Sequence, residues 1–291
     1  MFDFFVRALN ALLMIAMPLT LGVYLTRKFS VPWRLFGIGA VTFVASQIFH
    51  IPFNIFVLNP VLEKQGLSIT QVVGVQLLII AILYGVSAGF FEEVARYIVY
   101  RFWLKKENER TWRSALIFGA GHGGIEAVIT GVLAVVTLIR LLALRDMDLT
   151  TLVPAEQLEV AKTQVELYWS LPWYGALLGA MERAFAICFH LSATVMVLQA
   201  FRRKNILWLG AAIAWHAFFN AVAVMAAQTW SVYVAEALIG ILGLLSLVIV
   251  FMLREPSETP DEPRSEVEVL SLDEIEVEEI SKQNLEDSRY D

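Results

Sequence analysis

The sequence predicts an all-α protein that folds in a membrane: a polytopic bundle of about seven transmembrane helices followed by an acidic C-terminal tail. Three observations carry this expectation. Hydrophobic residues make up 58% of the chain and charged residues only 17%, whereas soluble domains carry about 25% charged residues. Mean hydropathy is +0.64. Apolar runs of the roughly 20 residues that cross a bilayer core as a helix recur along the chain. They fill most of it, and no soluble domain of ordinary size is left over.

Spans are expected at about 6–26, 35–58, 70–104, 112–144, 172–201, 206–227 and 230–253. The first does not read as a cleaved signal peptide, because Arg27 and Lys28 follow the apolar run and no Ala-x-Ala site ends it. The third and fourth runs exceed a perpendicular helix, so tilt, a kink or projection beyond the lipid is expected. Gly85 and Gly89 are candidate bend points in the third, and Gly119, Gly121, Gly123 and Gly124 in the fourth. Between the fourth and fifth, segment 154–168 places Leu158, Ala161, Val165 and Tyr168 at helical spacing, which predicts a short amphipathic surface helix acting as a connector rather than a lid. Cys188, the single cysteine, has no partner for an internal disulfide and reads as a small core residue.

The net charge of −6 averages two unlike parts. Residues 1–253, read as the transmembrane domain, sum to +4, and the tail 254–291 sums to −10. An acidic tail is no nucleic-acid arm, since phosphates attract basic segments. Without a large apolar core it is expected to be disordered, and dispensable for any site in the membrane.

Orientation follows from the loops. Arg27, Lys28 and Arg34 follow the first span, Lys105, Lys106, Arg110 and Arg113 the third, and Arg202, Arg203 and Lys204 the fifth. The intervening loops are poor in bases. Basic short loops stay in the cytoplasm, which predicts a cell-membrane protein with its N-terminus outside and its tail inside.

The informative residues are those that should not stand in lipid. An ionisable side chain within a span costs about 2.5–3.5 kcal/mol on insertion scales and therefore faces a cavity or a partner. The spans hold Glu92, Glu93 and Arg96; His122 and Glu126; Glu182, Arg183 and His190; His216 with Asn220; Glu236; and His50 with Asn54. Counted at about 1.5 Å per residue from the basic markers, Glu92, Glu93, His122, His190 and His216 fall roughly 14–20 Å above the cytoplasmic side. His50 falls further out. Glu92 and Arg96 are spaced i, i+4, which suits an intrahelical pair, and Glu93 points about 100° away. Imidazoles with a carboxylate hold zinc or another divalent metal, and a nearby glutamate can take a proton from water activated there. The alternatives at this point are a proton or ion pathway and simple interhelical hydrogen bonds.

The runs FFEEVARY (90–97), FGAGHGGIEA (118–127) and WHAFFNA (215–221) resemble the YhfC family of intramembrane metalloproteases. That family is similar to the wider group containing type II CAAX prenyl endopeptidases and bacteriocin-immunity proteins. Glu92 and Glu93 match the wider group's glutamate pair, Phe118 with His122 its Phe-x-x-x-His, and His216 with Asn220 its His-x-x-x-Asn. One departure is Arg96, which follows the glutamate pair after two residues instead of three. The resemblance covers residues 35–227 or so. It implies a zinc-dependent endopeptidase that hydrolyses a peptide bond of a membrane-associated peptide or protein. His122 and His216 would hold the metal, His190, Glu126 or Asn220 would complete or orient its shell, and Glu92, with Glu93 as fallback, would be the base. Asn220 or a histidine would stabilise the oxyanion. The depth of the site implies a substrate entering from the membrane or the cytoplasmic side. Two other function classes fit the same residues: a proton- or ion-coupled transporter, and a catalytically silent scaffold or immunity factor.

Overall fold

In the computed structural model of the protein, residues 2–67 and 72–254 are described. The expected acidic tail beyond Arg254 lies outside these residues. Helices that are apolar on every side have no face for water and stand in lipid. Among the described residues seven spans meet that description by length and composition. The first is α1 (Phe2–Phe29). The second, Arg34–Lys64, joins α2 (Arg34–Phe53), a π-helical turn at Asn54–Leu58 and α3 (Asn59–Lys64). Then come α4 (Val75–Phe102) and α5 (Trp112–Leu144). A polar surface helix, α6 (Ala155–Ser170), follows where the amphipathic segment was expected. The last three spans are Gly175–Arg202, whose body is α7 (Leu178–Arg202), then α8 (Leu207–Thr229) and α9 (Val232–Met252). Among the described residues there is no strand.

Two expectations are corrected. The third span starts at Val75 and not near residue 70, because Gly74 takes φ +60°, a conformation outside the helix that glycine adopts without steric cost. Nor do the glycines of α4 and α5 break their helices, which run uninterrupted through them. They are crossing points instead. A Cβ on Gly85 would lie 2.5 Å from the carbonyl oxygen of Ala217, and one on Gly121 would lie 2.0 Å from that of Phe36. Small residues thus let α4 meet α8, and α5 meet α2, backbone to backbone.

The two ends of the bundle are built differently. At the end joined by 30–33, 103–111 and 203–206, the basic-loop end, Leu35, Phe36, Tyr100, Leu104, Trp112 and Phe118 pack into one core with the C-terminal half of α7. Arg110 closes α4 there, donating to the carbonyls of Leu104 (2.8 Å) and Tyr100 (2.6 Å). At the other end, buried Arg7 donates to the carbonyls of Tyr168 (2.6 Å) and Leu171 (3.1 Å) and so fastens the C-terminus of α6 to α1. Asn10 Oδ1 accepts from the Ala180 N–H (2.8 Å) in the first turn of α7. The polar residues of the spans lie between these two ends.

Candidate metal centre

Four helices bring the acids and imidazoles together. Helix α4 supplies Glu92, Glu93 and Arg96, α5 His122 and Glu126, α7 His190, and α8 His216 and Asn220. Glu93, Arg96 and His122 are fully buried, and Glu92, His190 and His216 nearly so.

The pairings are specific. His122 Nε2 lies 3.1 Å from Glu92 Oε2; facing a carboxylate, it donates. His216 Nδ1 donates to Glu93 Oε1 at 2.8 Å. Arg96 forms its close ion pair with Glu93, three residues before it, and stands 3.9 Å from Glu92. The arginine's principal acid is therefore Glu93, not Glu92 as i, i+4 spacing suggested. One turn of α4 thus sends Glu92 to α5 and Glu93 to α8. Arg96 Nη2 also lies 2.8 Å from His190 Nδ1. Arginine only donates, so neutral His190 carries its proton on Nε2 and gives it to Glu126 Oε2 at 2.7 Å. Both nitrogens of His190 are engaged, and binding a metal there means exchanging one of these bonds. Glu126 is also paired with Arg183, which pairs in turn with Glu182.

Each of Glu92, His122 and His190 offers one donor atom, and these atoms lie within 4.8 Å of one another. His216 stands outside that set, its ring centroid 6.1 Å from that of His190, while His122 lies 5.3 Å from His190. Two observations fit a divalent metal. The donors are imidazoles and a carboxylate, the set that zinc takes. His122 Nδ1 and Glu93 Oε2 are also buried without a hydrogen-bond partner, a condition that native proteins rarely leave uncompensated. A cavity of about 110 Å³ adjoins the set, lined by Glu92, Glu126, Glu182, Arg183, His190, His216 and Asn220 among others. Asn220 faces it without a hydrogen bond to the cluster. Glu236 is buried on α9, with Oε2 unpartnered.

A chain of side chains reaches the cluster from α2. Ser87 donates to Asn54 Oδ1 (2.7 Å), Asn54 Nδ2 to His50 Nε2 (2.9 Å), His50 Nδ1 to Gln47 Oε1 (3.1 Å), and Gln47 Nε2 to Glu92 Oε1 (3.1 Å). His50 is not a member of the cluster, as expected, but it touches Glu92 through Gln47. The sequence reading missed Gln47. Its signal was the spacing of Gln47, His50 and Asn54, which fall on one face of a span.

Fold and site define a multi-pass membrane protein with a buried acid–imidazole centre. The comparisons agree with that class. Residues 13–242 match the family described as YhfC intramembrane metalloprotease, and the chain belongs to it. A relative from Bacillus subtilis (strain 168), described as uncharacterized membrane protein YhfC, is 31% identical over 223 residues, which is 75% of this chain and 83% of that protein. No solved structure matches.

Proposed function

We propose that this protein is a zinc-dependent intramembrane endopeptidase that hydrolyses a peptide bond of a membrane-associated peptide or protein. The observation that carries the reading is the buried cluster in which Glu92, His122 and His190 bring donor atoms within 4.8 Å of one another, with the His216 ring centroid 6.1 Å from that of His190, inside a bundle of seven spans. His122, His190 and His216 would hold the metal. Glu126 orients His190 and Glu93 orients His216, as carboxylates commonly do for metal-binding imidazoles. When bound, the metal supplies a Lewis acid that polarises a carbonyl and makes water acidic. Glu92 would take a proton from a water held beside the imidazoles. Gln47 holds its Oε1 at 3.1 Å, leaving Oε2 towards the imidazoles. Glu93 is unsuited to that task, being fully buried between Arg96 and His216. Asn220, on the cavity wall, presents an amide to the substrate carbonyl. The membrane domain, 1–253, holds the whole site, and the basic loops face the cytoplasm.

A second reading makes Glu92 a ligand in place of His216, and the membership of Glu92 in the compact set favours it. Glu92→Gln separates the two. On the first reading, zinc content measured by atomic emission stays at the wild-type level. Cleavage of a reconstituted transmembrane peptide falls by about 10²–10⁴, the usual worth of a general base. On the second, zinc is lost. If wild-type protein purified with zinc present holds none, the metalloprotease reading fails and the transporter and scaffold readings replace it.

A further inference from the structure

Exposure around the cavity is graded. Side-chain exposure is 37% at Glu182, 28% at Glu126, 14% at Arg183, 7% at Glu92 and 2% at His216. The three most exposed of these, Glu182, Glu126 and Arg183, lie on the α6 side of His190 and His122 along α7 and α5. Glu182 lies near the start of α7, and His190 stands eight residues deeper, about 12 Å at the helical rise. Asn220 and Ala223, on the cavity wall, lie beyond His216 in the direction of the C-terminus of α8. Both directions lead to the end of the bundle that carries α6.

The opposite direction is shut. Past His190, α7 is buried at every position from Leu191 to Ala200. Tyr100, Phe118 and Leu198 fill the space between α4, α5 and α7 at that level. Interiors packed this way hold few voids larger than a water molecule. Helix α6 contributes no residue to the cavity wall.

We propose that the centre is reached from the α6 end of the bundle and not from the basic-loop end. With basic loops in the cytoplasm, its substrates are peptide segments presented on the non-cytoplasmic side, within or just above the outer leaflet. This reverses the cytoplasmic entry that depth counting allowed. It rests on the reading of this cavity as the reaction site. At about 110 Å³ the cavity holds only a few waters, so a peptide enters by parting the walls above Glu92.

Cysteine accessibility tests the route without substrate or metal. In a Cys188→Ala background, Ala223→Cys places a thiol on the cavity wall, while Lys162→Cys on α6 and Lys105→Cys at the basic-loop end mark the two sides. Each variant is treated with a charged, membrane-impermeant methanethiosulfonate, in intact cells and in inverted vesicles. Ala223→Cys is expected to react at least tenfold faster in whichever preparation modifies Lys162→Cys. Faster reaction in the preparation that modifies Lys105→Cys overturns the proposal, as does no reaction in either while both markers react. Glu182→Cys, at the mouth, replaces Ala223→Cys if the latter is not monodisperse in detergent. Zinc content is measured separately, so a failed route and a failed metal centre give different results.

Discussion

The two halves of this bundle solve opposite problems with the same helices. Towards the basic loops, α4, α5 and α7 meet through Tyr100, Phe118 and Leu198, an apolar interior of closely packed side chains. Towards α6, the same three helices meet through Glu92, Arg96, His122, Glu126 and His190, an interior held by charge and hydrogen bonds. The polar half has unpartnered carboxylate and imidazole atoms and a cavity beside them. Rigidity and reactivity are thus divided along the length of the helices, and substitutions can show how far the division holds.

The largest effect is expected where both halves depend on one crossing. In Gly121→Leu, a Cβ would meet the Phe36 carbonyl oxygen at 2.0 Å, so α2 and α5 fail to dock. Monodisperse protein recovered in detergent should fall close to zero, and normal recovery would mean that the crossing is not needed. Glu93→Gln comes next. It leaves the buried Arg96 cation without the charge of its main partner, and breaking a buried pair costs about 3–5 kcal/mol. The thermal midpoint in detergent should drop, and zinc should weaken with it because the oxygen that accepts from His216 loses its negative charge. Phe118→Ala should cost about 3 kcal/mol through the cavity it leaves, yet keep zinc at one per folded chain; loss of zinc there would break the division between the halves. Truncation after Arg254 should change neither midpoint nor zinc content, both measured against the full chain.

Much of this was legible in advance. Cost argues that Glu92, His122, His190 and His216 avoid lipid, and basic markers set their depth. Rotation about each helix was not legible, because depth says nothing of direction. Hence Glu93, expected to point elsewhere, is the residue that joins Arg96 to His216. Gln47 escaped notice because an uncharged amide in a span raises no alarm. The glycines of α4 and α5 were conspicuous, but whether a glycine bends a helix or admits a neighbour depends on what crosses it. That is a property of other segments, such as Phe36 and Ala217.

The spacing of Glu93 and Arg96 has a consequence for biogenesis. Helix α4 leaves the ribosome before α5, α7 and α8, which supply the histidines that contact its charges. A helix carrying two carboxylates and a guanidinium is a poor candidate for entry into lipid on its own. Glu93 and Arg96, three residues apart on one helix and paired with each other, neutralise one another without help from any later segment. The pair that orders the finished centre therefore also lowers the barrier to threading α4 into the bilayer. Arg96→Gln should then show an early defect, seen as reduced membrane integration of α4 in a truncated nascent chain that ends before α5.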